Sequence, residues 1–142
     1  MASGRNQVEL DGIDYLAVTQ KIDNSTIVFD ATKANGSVSV GLAVTLSADD
    51  TVALAADGDA VLGKLIGVAF DNFCTVQVEG FCTLPGGTSA TLTRGTKIVG
   101  ALLSSARGYI RSAASATAAE LIKCDHTIWN AADTTAVRVH LG

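Results

Sequence analysis

Cys74-Thr75-Val76-Gln77-Val78-Glu79-Gly80-Phe81-Cys82-Thr83-Leu84 is the stretch on which the fold turns. Cys74, Val76, Val78 and Gly80 fall on one side of an extended chain, and Thr75, Gln77 and Glu79 fall on the other. Period-two alternation of this kind marks a strand with one buried face. Phe81 and Leu84 depart from it, which predicts a bulge near Gly80. Pro85-Gly86-Gly87 then ends the strand, because proline cannot donate to a ladder and glycine favours turns.

Working outward, short apolar runs alternate with turn-forming clusters along most of the chain, the pattern of an all-β protein. Towards the N-terminus, strands are expected over residues 13–18, 26–29, 38–46, 51–55 and 61–70. The turns between them are Asp23-Asn24-Ser25, Asn35-Gly36, Asp49-Asp50 and Asp57-Gly58-Asp59. Towards the C-terminus, strands are expected over 98–103, 109–112, 121–129 and 137–141, and 88–96 reads as a loop or weak edge strand. Residues 113–120, rich in alanine, form the one expected helical turn. Residues 1–12 are polar, with Val8 and Leu10 as their apolar anchors, and read as an extended, flexible N-terminal arm. Residues 13–142 then form a single β domain, a compact β-barrel or β-sandwich.

An internal pseudo-repeat organises this domain. Gly41-Leu42-Ala43-Val44, Val52-Ala53-Leu54-Ala55, Leu65-Ile66-Gly67-Val68 and Val76-Gln77-Val78 follow one another in the first copy. The second copy runs Gly95-Thr96-Lys97-Ile98, Tyr109-Ile110-Arg111-Ser112, Leu121-Ile122-Lys123-Cys124 and Val137-Arg138-Val139. The offsets between copies are roughly 54 to 61 residues, long enough for one β-unit each.

Composition narrows the function. The 142 residues are 48% hydrophobic, 17% charged and 5% aromatic, with a single proline, and the mean hydropathy is +0.35. That is a chain able to bury a core, built mostly from small and β-branched residues that suit closely spaced strands. A net charge of −4 argues against a sequence-independent nucleic-acid partner, which requires a basic face. No run approaches the ~20 apolar residues that span a bilayer, and the first residues, Met1 to Gln7, contain no apolar signal region. Three cysteines, Cys74, Cys82 and Cys124, lie without metal-ligand spacing. Synthesis in a reducing cytoplasm is the expectation.

Catalytic chemistry finds no scaffold in the pattern. His126 stands beside Asp125, and His140 lies in the last alternating segment, each read as a strand histidine. Cys74 and Cys82 read as small buried hydrophobes. Pro85-Gly86-Gly87-Thr88 and Gly95-Thr96-Lys97 lack phosphate-loop spacing, and the carboxylates at 49–50 and 57–59 read as turn residues rather than calcium ligands. No catalytic, metal or cofactor site is expected. Trp129, next to the turn Asn130-Ala131-Ala132-Asp133, reads as a core-edge or interface anchor.

The run Val44 to Ala55, then Gly63-Lys64-Leu65-Ile66-Gly67-Val68-Ala69, then Cys74 to Leu84, and finally Ala136 to Leu141 resembles the head-decoration, or capsid cement, proteins of tailed bacteriophages. The resemblance covers about residues 36 to 141 and rests on apolar and glycine patterns; the Ala/Ser-rich segment 112–119 departs from it. It implies a non-enzymatic structural protein made in a bacterial host, a homo-oligomer, commonly a trimer, on the outer capsid surface of the virion. Its partners would be the major capsid protein and itself, with neither nucleic acid nor membrane. Arg5, Val8, Leu10 and Tyr15, with Trp129, are the residues expected to meet the shell. The alternative is a virion-displayed carbohydrate- or receptor-binding β-domain, for which Trp129 with Asp133 would be the contact pair.

Overall fold

The computed structural model describes residues 15–87, 91–114, 120 and 126–142. The described residues contain nine strands: β1 (Leu16–Ile22), β2 (Ala43–Ala48), β3 (Thr51–Leu54), β4 (Gly63–Val68), β5 (Phe73–Leu84), β6 (Ile98–Leu103), β7 (Ala106–Ser112), β8 (Thr127–Asn130) and β9 (Val137–Leu141). A short 3-10 turn, Ala34–Gly36, lies between β1 and β2. The described residues are nearly all β, as their alternation requires. The arm at 1–12, with Arg5, Val8 and Leu10, lies outside the described residues, as do Cys124 and most of the expected helical turn at 113–120.

The first five strands close on themselves. β3 pairs with β2, β2 with β4 and β4 with β5, all antiparallel. β1 completes the ring by running antiparallel to β5, with Val18 opposite Val76, and parallel to β3, with Ile22 opposite Val52. Val44, Val52, Leu65 and Val76 are fully buried inside, with Ile22 and Cys74. Ring closure removes the free strand edges that would otherwise template pairing with other chains.

β5 is twelve residues long and changes partners halfway. Before Gly80 it pairs with β1; from Gly80 to Leu84 it pairs with β9. Gly80 makes the change at φ +101°, a left-handed conformation that glycine adopts without strain. The irregularity expected near Gly80 falls slightly earlier: Leu16 faces Glu79 and Ala17 faces Gln77, so Val78 is the extra residue. Leu84 does not break the alternation; it is fully buried in phase with Cys82. Gln77, expected to face solvent, is buried, its side-chain amide donating to the carbonyls of Glu79 and Phe81.

A second ring grows from the far half of β5. β9 pairs with β8, and Thr127 of β8 bridges to Lys97 at the entry to β6. β6 pairs with β7, and Ile110 of β7 forms a parallel bridge to Gly86. The closing bonds run from the Ile110 N–H to the Pro85 carbonyl (3.0 Å) and from the Gly87 N–H to the Ile110 carbonyl (3.0 Å). Leu84, Ile98, Ile110, Ile128, Val137, Val139 and Leu141 fill this ring.

The two rings repeat one hydrogen-bond plan. In the first, the Gly41 N–H donates to Leu65 (2.8 Å) and the Leu65 N–H to Leu42 (3.0 Å). In the second, the Gly95 N–H donates to Ile128 (2.7 Å) and the Ile128 N–H to Thr96 (2.9 Å). Gly41 and Gly95 share a positive φ, +95° and +82°. The register slips between Leu65 and Gly67 in β4, and between Ile128 and Asn130 in β8. The parallel closures also correspond, Ile22 on Val52 and Gly86 on Ile110.

The pairing corrects the sequence alignment of the copies. Val52 corresponds to Ile110 rather than Tyr109, Leu65 to Ile128 rather than Leu121, and Val76 to Val139 rather than Val137. The cause is connection length: Val44 faces Leu54 across the first hairpin while Ile98 faces Ser112 across the longer second, and β7 is also separated from β8 by a longer stretch than β3 from β4. Residues 26–29 form no strand. The Asp23 carboxylate instead folds them into a turn by accepting from the N–H groups of Ser25, Thr26 and Ile27, and Ile27 is buried against the first core.

The rings share packing as well as β5. Ala43, Ala55 and Val61, from the first half of the chain, belong to the second core. The Gly100 N–H donates to Asp59 (2.8 Å), the Gly58 N–H to Gly100 (2.9 Å) and the Gly108 N–H to Ala55 (2.8 Å). Any Cβ at Gly100 would lie 2.3 Å from the Ala56 carbonyl oxygen, so glycine is what allows the second hairpin to approach the first ring. Arg111 adds a clamp, reaching Asp57 at 3.0 Å and Glu120 at 2.6 Å.

Candidate interaction face

Alternation in β9 sends Val137, Val139 and Leu141 inward and leaves Arg138 and His140 on the outer face. Phe81 lies opposite His140 across the β5–β9 ladder, on that same face. The register slip in β8 turns Trp129 outward beside them. The Phe81 and His140 ring centroids are 4.7 Å apart, Phe81 and Trp129 meet edge-on at 5.2 Å, and Trp129 and His140 lie 6.2 Å apart. Edge-to-face contacts place a ring's positive edge against another's negative face, which holds the cluster in one geometry. Trp129 remains 52% exposed.

Tyr15 and Leu16, both exposed at the start of β1, adjoin this cluster. They line a groove of about 510 Å³ together with Glu79, His140 and Leu141. On its other side Trp129 borders a second groove, of about 680 Å³, with Leu92, Arg94 and Asn130. Tyr15 and Trp129, chosen from the sequence, therefore sit at two ends of one continuous surface, joined through His140 and Phe81.

Phe81 and His140 escaped the sequence reading as members of this surface. The available signal was phase: each is a ring in the outward position of an alternating strand. Phe70 was missed too. It stands 83% exposed at the turn joining β4 to β5, with Phe73 beside it also exposed.

The other candidates are occupied structurally. His126 is buried, with Nδ1 accepting from the Gly142 N–H (3.0 Å), so Nε2 carries the proton shared with the Leu62 carbonyl (3.2 Å). This neutral ring ties the end of β9 to the approach of β4. Cys74 and Cys82 are buried free thiols, and burial pushes the Cys74 thiol up to about 11, away from the reactive thiolate. Asp59 accepts from the Ala56 N–H, and Asp133 from the Thr135 N–H and hydroxyl. The carboxylate proposed to accompany Trp129 thus serves its own turn. Among the described residues no group of three or more His, Cys, Asp or Glu side chains is arranged to hold a metal ion, and no helix is long and apolar enough to cross a membrane.

Compared with known proteins, the chain matches no family model, no curated protein and no solved structure.

Proposed function

We propose that the chain is a capsid cement protein, a non-enzymatic element that binds the outer surface of a tailed-phage shell and braces its major capsid protein. The observation that supports this most is the aromatic surface next to the start of β1: Tyr15 and Leu16 continuing into His140, Phe81 and Trp129. Large aromatic side chains held rigidly on an outer face are the residues that carry binding energy at protein interfaces. The platform behind them is two closed rings with shared packing, suited to transmitting load without exposing strand edges. A threefold oligomer would multiply each contact, since one weak contact repeated around a closed assembly gains from effective concentration.

The test is co-sedimentation of the purified protein with shells of the major capsid protein encoded in the same genome. The cement reading expects saturable binding, a higher shell rupture temperature, and loss of both on Trp129→Ala or removal of residues 1–12. Absence of binding overturns it. In the same preparation, light scattering should give a mass near 43.5 kDa, three times the 14.5 kDa of one chain. A second reading, a virion-displayed carbohydrate- or receptor-binding domain, draws on the half-exposed Trp129 beside Arg94 and Asn130. Retention on a glycan array that Trp129→Ala abolishes would favour it.

A further inference from the structure

Asn35-Gly36 is the single Asn-Gly pair of the sequence. Such a pair can lose ammonia, because a glycine nitrogen, with no Cβ beside it, has open access to the preceding side-chain amide. Asn35 is exposed, but Gly36 is held firmly. Its N–H donates to the Lys33 carbonyl (3.1 Å), and its carbonyl accepts from the Asp30 N–H (2.8 Å). A Cβ at Gly36 would collide with the Val68 carbonyl oxygen, so the glycine backbone lies directly against the end of β4. Ser37, next in the chain, is buried. Asn35 itself sits at φ +56°, ψ +22°, a left-handed conformation that asparagine tolerates. There the Gly36 nitrogen points away from the Asn35 Cβ, and only a large rotation about the Asn35 Cα–C bond brings it to Cγ.

We propose that Asn35 is a modification site gated by the fold: inert while this turn is closed, and deamidated when it opens. In the open turn the Gly36 nitrogen gives up its proton and bonds to Asn35 Cγ, the Cγ–Nδ2 bond breaks, and ammonia leaves with that proton. The product is a cyclic succinimide. Water then adds across one of the two C–N bonds of the ring. Breaking the N–Cγ bond gives aspartate on an unchanged main chain. Breaking the bond from the Asn35 carbonyl carbon to the nitrogen gives isoaspartate, whose main chain runs through Cβ and Cγ and is one carbon longer. The longer chain cannot restore both Gly36 hydrogen bonds while glycine stays seated on Val68, so isoaspartate holds the turn open. Asn35 also borders the groove lined by Gly67, Val68 and Phe73, and either product places a negative charge there. This inference is independent of what the protein binds.

The test incubates the full-length protein at mildly alkaline pH, with and without urea, and follows Asn35 by peptide mapping and mass spectrometry. Opening the turn breaks two backbone hydrogen bonds, and conversion tracks the open population, so it should run at least about tenfold slower in the folded chain. Equal rates overturn the gate. Converted chains are then separated by ion exchange on their added negative charge. The isoaspartate fraction should melt below the unconverted protein, while the full-length variant Asn35→Asp, which gains the charge without the longer main chain, should melt with it. An isoaspartate fraction as stable as the unconverted protein overturns the opened turn. So does an equal loss in Asn35→Asp, which would assign the effect to charge.

Discussion

The two rings share a backbone plan but differ in what they place inside and outside. Inside, three equivalent positions carry larger aliphatic residues in the second ring, Val44 against Ile98, Val52 against Ile110 and Cys74 against Val137, while buried Leu54 against buried Ser112 runs the other way. The sharpest contrast is Gln20, opposite Cys74 in the first ring, against Leu84, opposite Val137 in the second. On the other face of the ladder, Ala17 and buried Gln77 stand where the second ring has Phe81 and His140. The hairpin that ends in exposed Phe70 in the first ring carries Asp133 in the second. Backbone hydrogen bonding and the positive-φ glycines preserve the plan, while the side chains are free to diverge. The aromatic face belongs to that divergence.

The comparison breaks most decisively at the cores. Leu65→Ala and Ile128→Ala each empty a position that is fully or almost fully buried in its ring, and each should cost about 2–5 kcal/mol through lost burial and the residual cavity. Because β5 runs through both rings and Ala43, Ala55 and Val61 cross into the second core, both variants should unfold in one transition. Chemical denaturation followed by Trp129 fluorescence and far-ultraviolet circular dichroism checks this. Coincident curves are expected; a Leu65→Ala curve in which fluorescence lags behind dichroism would show that the rings unfold separately.

A smaller effect is expected at the clamp between the halves. Arg111 and Glu120 are mostly buried and doubly hydrogen-bonded, so Arg111→Met leaves a carboxylate with fewer partners and should cost about 2 kcal/mol. Asp57 is largely exposed, and Asp57→Asn should cost less than about 1 kcal/mol. Equal losses in equilibrium denaturation would contradict this ranking.

How far the sequence revealed this plan depends on where each strand announced its phase. The β5 alternation and the matching Gly41 and Gly95 runs were legible, because period two and left-handed glycines are local signals. β1 was placed too early, at 13–18 instead of Leu16–Ile22, because Thr19, Gln20 and Lys21 disguise a strand whose inward positions are Val18, Gln20 and Ile22. The copies slipped by one, seven and two residues because apolar patterns do not record the lengths of hairpins and connections. Of the aromatic face, Tyr15 and Trp129 were singled out from the sequence, Tyr15 as a shell-facing residue and Trp129 as a core-edge or interface anchor, and both are exposed. Their connection through Phe81 and His140 was not, since it is created by pairing between strands far apart in sequence.

Gln20 offers a gain instead of a loss. Its Oε1 is buried without a hydrogen-bond partner, and the second ring fills the same place with fully buried Leu84. Gln20→Leu should therefore stabilise the protein by about 1 kcal/mol, as removal of an unsatisfied buried acceptor does when the replacement packs. A rise in the denaturation midpoint with unchanged slope is the expected result. A fall would mean that the first ring is too narrow for the side chain the second one accepts.

The smallest effect concerns acid. Asp23 and Asp133 each close a turn, and both carboxyls are held below their usual value of 3.8. At Asp23 burial opposes the charge, but the N–H groups of Ile27, Thr26 and Ser25 and the Thr26 hydroxyl outweigh it. At Asp133 the Thr135 hydroxyl and N–H dominate. A carboxyl with a lowered folded value contributes stability that is present above its unfolded value and lost as pH falls through the folded one. The Asp23 turn also reaches the ring, because the Thr26 hydroxyl that donates to it accepts from the Leu54 N–H at 2.9 Å. The Asp133 bonds end within its own turn. Melting temperatures measured from neutral pH downward should thus separate Asp23→Asn from the unmodified chain at neutrality and bring the two together only once pH has fallen below the lowered folded value, with Asp133→Asn showing a smaller gap throughout. A larger gap for Asp133→Asn would place the stability-determining turn in the second ring.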